Sequence, residues 1–240
     1  MLEKEAMPFI DVWLGRLPLE PAILQQFTRL LDHQEQETAG TYKNLLMQQK
    51  YIAVRGLLRL TLARYLAVEP VFLQFVRGEY GKPGLIGYRL SFNLSHTADS
   101  LAIAVSDLET VGVDIESIQP RKGLHDIARR SFSAQEFGAW RTMTQAQQIH
   151  AFYKVWTQKE AFVKAVGRGI ALGLERCEVD LSAGGFVNIP AEYGLAKNWR
   201  VLELQSEAEI CGAVVAPNVE FVFAQYSLDR PLANKPPFKM

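Results

Sequence analysis

The chain has 240 residues, with 26 Lys+Arg against 26 Asp+Glu, 48% hydrophobic and 22% charged residues. That length and apolar content support one large or two small domains with sizeable cores, and exclude wholesale disorder. A formal net charge of +0 excludes a protein whose main task is to coat nucleic acid, while leaving room for a local basic patch.

Two cysteines, Cys177 and Cys211, are no disulfide framework and read as reduced thiols of a cytosolic protein. The N-terminal MLEKEAMPFIDVWLGRL places acids before its first apolar stretch and lacks the features of a secretory signal. No apolar run approaches the roughly 18 to 20 residues that span a bilayer. A soluble, cytoplasmic chain without a membrane partner is expected.

Phe9 to Leu17 alternates as a strand does, and Pro18 ends it. Pro21 to Leu31 reads as a short helix. A long helical stretch follows from about Glu35 to Leu66, with Gly40 as a break point. Arg55, Arg59 and Arg64 lie along it, either as a solvated face or as anion ligands. After Pro70 come a short strand (Phe72 to Arg77), a Gly/Pro turn (GEYGKPGLIG), the segment LSFNLSHT and a strand from Leu101 to Ser106. Val111 to Ile115 follows so closely that hairpin pairing with that strand is expected.

The second half repeats the scheme. VGVDIE leads to a helix over Leu124 to Phe132, and the Ser-x-x-Glu spacing of SAQEF starts another. The strongest helix runs from about Ala146 to Val166, stopped by Gly167 and Gly169. Strands return at Cys177 to Leu181, Trp199 to Gln205, Ile210 to Val215 and Phe221 to Tyr226, before a Pro-rich tail, DRPLANKPPFKM. The fold class is α+β with mostly antiparallel sheet.

In VGVDIES the strand period of two puts Asp114 and Glu116 on one face. Adjacent carboxylates repel unless a cation or proton lies between them, and their hard oxygens suit Mg²⁺. The alternative is an acidic, solvent-facing strand edge. In WTQKEAFVKAVGRG, residues Trp156, Glu160 and Lys164 share a helix face. Glu160 and Lys164 make either a helical ion pair or an acid and a cation brought to the first two carboxylates. Ser95 and His96 of FNLSHT are adjacent on an extended segment and so point apart, which rules poorly for a nucleophile and its base. His96 is a phosphate ligand or a satisfied, half-buried residue. RGEYGK places Arg77 and Lys82 around glycines, a weak anion signal.

Taken in order, YGKPGL, FNLSHT, VGVDIE, FSAQEF and WTQKEAFVKAVGRGI resemble the 4′-phosphopantetheinyl transferases, specifically the larger Sfp-type enzymes. The likeness covers about Tyr51 to Leu172. The first 40 residues and everything after about Leu181 match in general character only. The resemblance implies transfer of the phosphopantetheine arm of coenzyme A to a carrier-protein serine, releasing adenosine 3′,5′-bisphosphate. It implies a monomer of two similar, pseudo-twofold lobes, each a mostly antiparallel sheet packed with a long helix, with the active site between them. Residues 1–108 and 109–228 would be the lobes and 229–240 a tail.

By the same resemblance Asp114, Glu116 and Glu160 would hold Mg²⁺ against the coenzyme A pyrophosphate. Lys164 and Lys159 match the lysines of the helix motif, near the phosphates. Asn93, Ser95 and His96 fall in the segment that contacts the coenzyme, with His96 on a phosphate. Arg77, Gly81 and Lys82 match the stretch around its nucleotide end, and Lys50 and Arg55 are candidates for a further basic ligand. Glu160, Lys164 and His96 would be catalytic, the serine proton passing to Glu160 directly or through water. A basic segment, Gln119 to Phe137 with Arg121, Lys122, Arg129 and Arg130, would dock an acidic acyl or peptidyl carrier; a solvated face is the alternative. Two rivals remain: an Mg²⁺-dependent phosphohydrolase or nucleotide-cleaving enzyme using the same acids on water, and a non-catalytic binding module.

Overall fold

The computed structural model describes residues 7–207 and 209–228; the expected Pro-rich tail at 229–240 lies outside them. Strand β1 (Phe9–Arg16) is followed by α1 (Pro21–Leu30), α2 (His33–Thr41) and α3 (Leu45–Leu66). Pro21 opens α1, where its missing N–H costs nothing. Asp32 and Glu35 form a capping box on α2, and Asn44 caps α3 through the Met47 N–H. The expected break at Gly40 falls instead after Thr41, because Asn44 starts a new helix.

Four strands continue the first half: β2 (Phe75–Arg77), β3 (Pro83–Leu85), β4 (Ser91–Thr97) and β5 (Ser100–Ser106). Then come β6 (Gly112–Ser117), α4 (Leu124–Ser131), α5 (Ala134–Trp140), α6 (Gln145–Ala165), β7 (Glu178–Val179), β8 (Phe186–Asn188), β9 (Trp199–Glu203), β10 (Ile210–Pro217) and β11 (Val222–Ser227). The predicted capping box on α5 is present, with Ser133 accepting from the Glu136 N–H and Glu136 from the Ser133 N–H.

One sheet has the order β11-β1-β5-β4 and another β6-β10-β9, with β2-β3 and β7-β8 as separate ladders. All pairs are antiparallel except β1 with β11, which is parallel. The fold is therefore α+β with mostly antiparallel sheets. β11, from the far end of the sequence, adds to the sheet built by the first 108 residues. The expected hairpin between β5 and β6 does not form. Both edges of β5 are already taken, by β1 and β4, so β6 joins β10 instead.

Alternation along the central strands divides the cores. Phe9, Trp13, Leu101, Ile103 and Val105 face α1 and α3, meeting Phe27, Leu58 and Leu62. Ile10, Val12, Ala102 and Ala104 face the other way, onto Val113, Ile115 and Val214 of the second sheet. The helix α6 covers that sheet's far side, where Phe162 and Ala165 pack against Ala213 and Val215. Among the described residues no helix is long and apolar enough to cross a membrane.

Side chains of β4 stitch the two sheets together. Asn93 Oδ1 accepts the Val113 N–H at 2.9 Å, Thr97 Oγ1 accepts the Ser117 N–H at 3.2 Å, and Ser95 Oγ donates to Asp114 Oδ1 at 2.7 Å. These are alternate residues, so one face of β4 does the work.

On its other side β6 lies very close to α6 at Gly112. A methyl there would stand 2.5 Å from the Ala165 nitrogen and nearer still to the Ala161 carbonyl oxygen. Backbone cannot move aside as a flexible side chain can. Gly112→Ala is therefore expected to cost at least about 1–3 kcal/mol, the usual cost of overpacking. Urea denaturation checks this; an unchanged midpoint would contradict the close approach.

Candidate active site

The approach of β6, β4 and α6 brings three acids and a lysine to one place. Lys164, in the last turn of α6, donates from Nζ to Asp114 Oδ1 at 2.6 Å and to Ser95 Oγ at 3.1 Å. The helical ion pair between Glu160 and Lys164 is not made; the lysine reaches across to the strand instead. Asp114 is 4% exposed, so the solvent-facing strand edge does not describe it. Its Oδ2 and the Oε1 of Glu160 are buried and find no hydrogen-bond partner among the described residues. Glu116 is half-buried and accepts a long contact, 3.5 Å, from Thr97 Oγ1.

All three carboxyls are pushed up, first by burial. Asp114 is raised although Lys164 and Ser95 pull it down. The Asp114 charge raises Glu116 further. Glu160 rises to about 7, through burial and the charges of Asp114 and Glu116, against the pull of Lys164. Mutual elevation of this kind marks carboxylates that share a space. Among the described residues no three His, Cys, Asp or Glu side chains already form a ligand-ready group. The two orphaned oxygens nevertheless offer hard donors that nothing in the chain satisfies.

Beside this cluster lies a cavity of about 740 Å³, and Lys164 lines it. Its other cations are Arg55, Arg77 and Lys82, with His96 on the wall from β4. Partial desolvation, then the Lys164 and Lys50 charges, lowers the His96 pKa, so the ring is neutral in most molecules near neutral pH. Asn93 and Gly81 also line the cavity. Gly81 has φ +84, a turn conformation suited to glycine, and it bends the β2–β3 tip.

Several expected ligands turn elsewhere. Lys159 points away from the cavity: its Nζ is buried and donates to Glu136 Oε2 at 2.5 Å and to the Ser131 carbonyl at 2.8 Å. Glu136 also accepts the Val179 N–H, so this pair ties α5 and β7 to α6. The reason is helical: Lys159 and Glu160 are neighbours, roughly 100° apart around the axis, and only one of them can face the seam. Lys50 binds the Ala98 carbonyl and Asp99, both at 2.9 Å, at the β4–β5 turn. Arg55 reaches the cavity, but its guanidinium is paired with Glu35 and stacked on Phe75. Arg59 is fully buried, held by Asp32, Glu35 and the carbonyls of Pro70 and Leu73, so it is neither a solvated residue nor an anion ligand. Ser95 is spent on Asp114 and Lys164.

Thr97 and Thr110 were not among the candidates. Thr97 continues the polar period-two face of FNLSHT begun by Asn93 and Ser95, and that alternation signals it. Thr110 sits in a loop, where no pattern points to it.

A buried acid cluster opening beside a base-lined cavity defines a site for an anionic, phosphate-bearing ligand. Residues 110–215 match the family described as the 4′-phosphopantetheinyl transferase superfamily. The chain is 34% identical to the 4′-phosphopantetheinyl transferase HetI of Nostoc sp. over 213 residues, 86% of this chain and 87% of that protein. It is 36% identical over 134 residues to a 4′-phosphopantetheinyl transferase of Bacillus subtilis, covering 55% and 58%, and 37% identical over 135 residues to AcpT of Salmonella typhimurium, covering 51% and 69%. The chain belongs to the 4′-phosphopantetheinyl transferase superfamily, and is a transferase. The family match runs well past Leu181, where motif reading ended.

Glu160 keeps its proton to about pH 7 when folded, against an ordinary 4.5. The folded chain thus binds more protons between those values. This group's contribution to stability is complete below 4.5 and is lost as pH rises through about 7. From about pH 5 to about pH 8 in metal-free buffer, the native chain should lose up to about 3 kcal/mol relative to Glu160→Gln. Urea titrations at the two pH values test this, and parallel losses would contradict the assignment.

Proposed function

We propose that this chain transfers the 4′-phosphopantetheine arm of coenzyme A to a serine hydroxyl of an acyl or peptidyl carrier protein, as an Sfp-type enzyme. The observation that carries the reading is the 2.6 Å contact between Lys164 and Asp114, which joins the helix motif to the strand motif beside a base-lined cavity. The cavity volume of about 740 Å³ suits a ligand of the size of coenzyme A. Its pyrophosphate would lie toward Lys164 and His96, and its nucleotide end toward Arg77 and Gly81. We read the two sheets, each with its long helix α3 or α6, as two lobes of a pseudo-twofold monomer, and the free thiols of Cys177 and Cys211 as suited to the cytoplasm.

The donor set fits a divalent cation, since Asp114 Oδ2 and Glu160 Oε1 are buried acceptors without partners. Asp114, Glu116 and Glu160 would hold Mg²⁺, which when bound supplies neutralising charge for the pyrophosphate. The rest is derived from this chain. Lys164 offsets negative charge at the seam. Ser95 and Lys164 fix the orientation of Asp114. Glu160, raised to about 7, is matched to neutral pH as a base for the serine proton. The serine oxygen bonds to the phosphorus on the pantetheine side, and the bond from that phosphorus to the nucleotide's phosphate oxygen breaks, releasing adenosine 3′,5′-bisphosphate.

The carrier would dock on α4 and its approach. Arg121, Lys122, Arg129 and Arg130 are all exposed there, and the Arg121 charge acts on Glu116, which puts this surface beside the acids. Hydrolysis by the same acids would need no such surface.

Incubation of an apo carrier protein with this chain, coenzyme A and Mg²⁺ should add one phosphopantetheine mass to the carrier. Asp114→Ala and Glu160→Ala should each lower the transfer rate by about 100-fold or more while circular dichroism stays native. Full activity in either variant, or nucleotide release without carrier modification, would overturn the reading.

A further inference from the structure

Lys82 lines the cavity, yet its ammonium is fully committed. An ammonium has three N–H donors. Here they meet the Ala165 carbonyl at 2.7 Å, Thr110 Oγ1 at 3.0 Å and the Val111 carbonyl at 3.2 Å. Thr110 Oγ1 in turn donates to the same Ala165 carbonyl. The lysine stem lies along Gly167, where a methyl would stand 3.5 Å from Lys82 Cδ. A second tie crosses the same gap: Arg168 Nη1 donates to the Tyr80 hydroxyl at 2.6 Å.

Ala165 is the last residue of α6 and follows Lys164 directly. The final carbonyls of a helix lack partners within it and form the negative end of its dipole, so a cation placed there stabilises the last turn. That turn carries Lys164, whose ammonium must reach Asp114.

We propose that Lys82 is a positioning residue: with Thr110 it caps the C-terminus of α6 and thereby holds Lys164 on Asp114, leaving no N–H for a phosphate. The consequence for catalysis rests on the transfer reaction proposed above; the cap itself does not. The β2–β3 turn that walls the cavity is thus fastened to the helix that carries Glu160 and Lys164.

Lys82→Met and Thr110→Val, made in the full chain, separate this from a ligand role, because Thr110 does not line the cavity. Hydrogen exchange followed by mass spectrometry should show peptides over residues 161–168 exchanging about 10-fold faster in both variants, with α3 unchanged. Transfer to an apo carrier should show kcat lowered about 10-fold while the calorimetric Kd for coenzyme A moves less than about 3-fold. The double variant should be no worse than the worse single variant, and Thr110→Ser should restore wild-type exchange. Unchanged exchange at 161–168 in Thr110→Val overturns the proposal. So does a Lys82→Met variant with native exchange, about 10-fold weaker coenzyme A binding and a shallower salt dependence, the signature of a lost phosphate contact. Should the wild-type chain neither bind coenzyme A nor modify a carrier, the transferase reading fails, while the exchange comparison still decides the cap.

Discussion

The approach of α6 to β6 at Gly112 is the constraint on which the site rests. Only a residue without a side chain lets the helix backbone come this near the strand. That distance decides whether Lys164 meets Asp114 and whether Glu160 feels the charges of the other two acids. Three carboxyls placed out of water are costly on their own. The seam offsets part of that cost with the Lys164 ammonium and the Ser95 hydroxyl, and leaves two oxygens over. A fold built for stability alone would satisfy them; an active site keeps them for a ligand.

The balanced charge count conceals a division of labour among the cations. Arg59, Lys159 and Lys82 are all buried deeply enough to need partners, and each is saturated by carboxylates, carbonyls or a hydroxyl. They brace α3, α6 and the helix terminus. Arg77, His96 and Lys164 remain toward the cavity, and the four bases at α4 remain toward solvent. Proximity to a site therefore says little about whether a lysine serves it; the count of N–H groups still free says more.

Much of this was legible in the residues. The capping spacing of SAQEF, the shared face of Asp114 and Glu116 and the helical stop at Gly167 follow from local geometry, which short sequence windows carry. What was hidden depends on which element packs where. Lys159 reads like Lys164 until α5 supplies Glu136. Arg59 reads like a surface arginine until α2 delivers Asp32 and Glu35. β5 and β6 read as a hairpin because nothing local reveals that β1 and β4 already fill both edges of β5. Such facts belong to long-range pairing, and a single chain of letters does not encode them within any window.

The parallel pairing of β11 with β1 sets an order of events during synthesis. β1 leaves the ribosome among the earliest residues, yet one of its edges stays open until residues 222–227 emerge. Until then the nascent chain displays an unpaired strand edge, a surface prone to pairing with other chains. Closing it joins segments more than 200 residues apart, a slow kind of contact. The second sheet, whose strands β6, β9 and β10 are all complete by residue 217, can be finished first. The early half of the protein is thus made whole by the late half, and loss of the last described strand should affect the beginning of the chain more than its end.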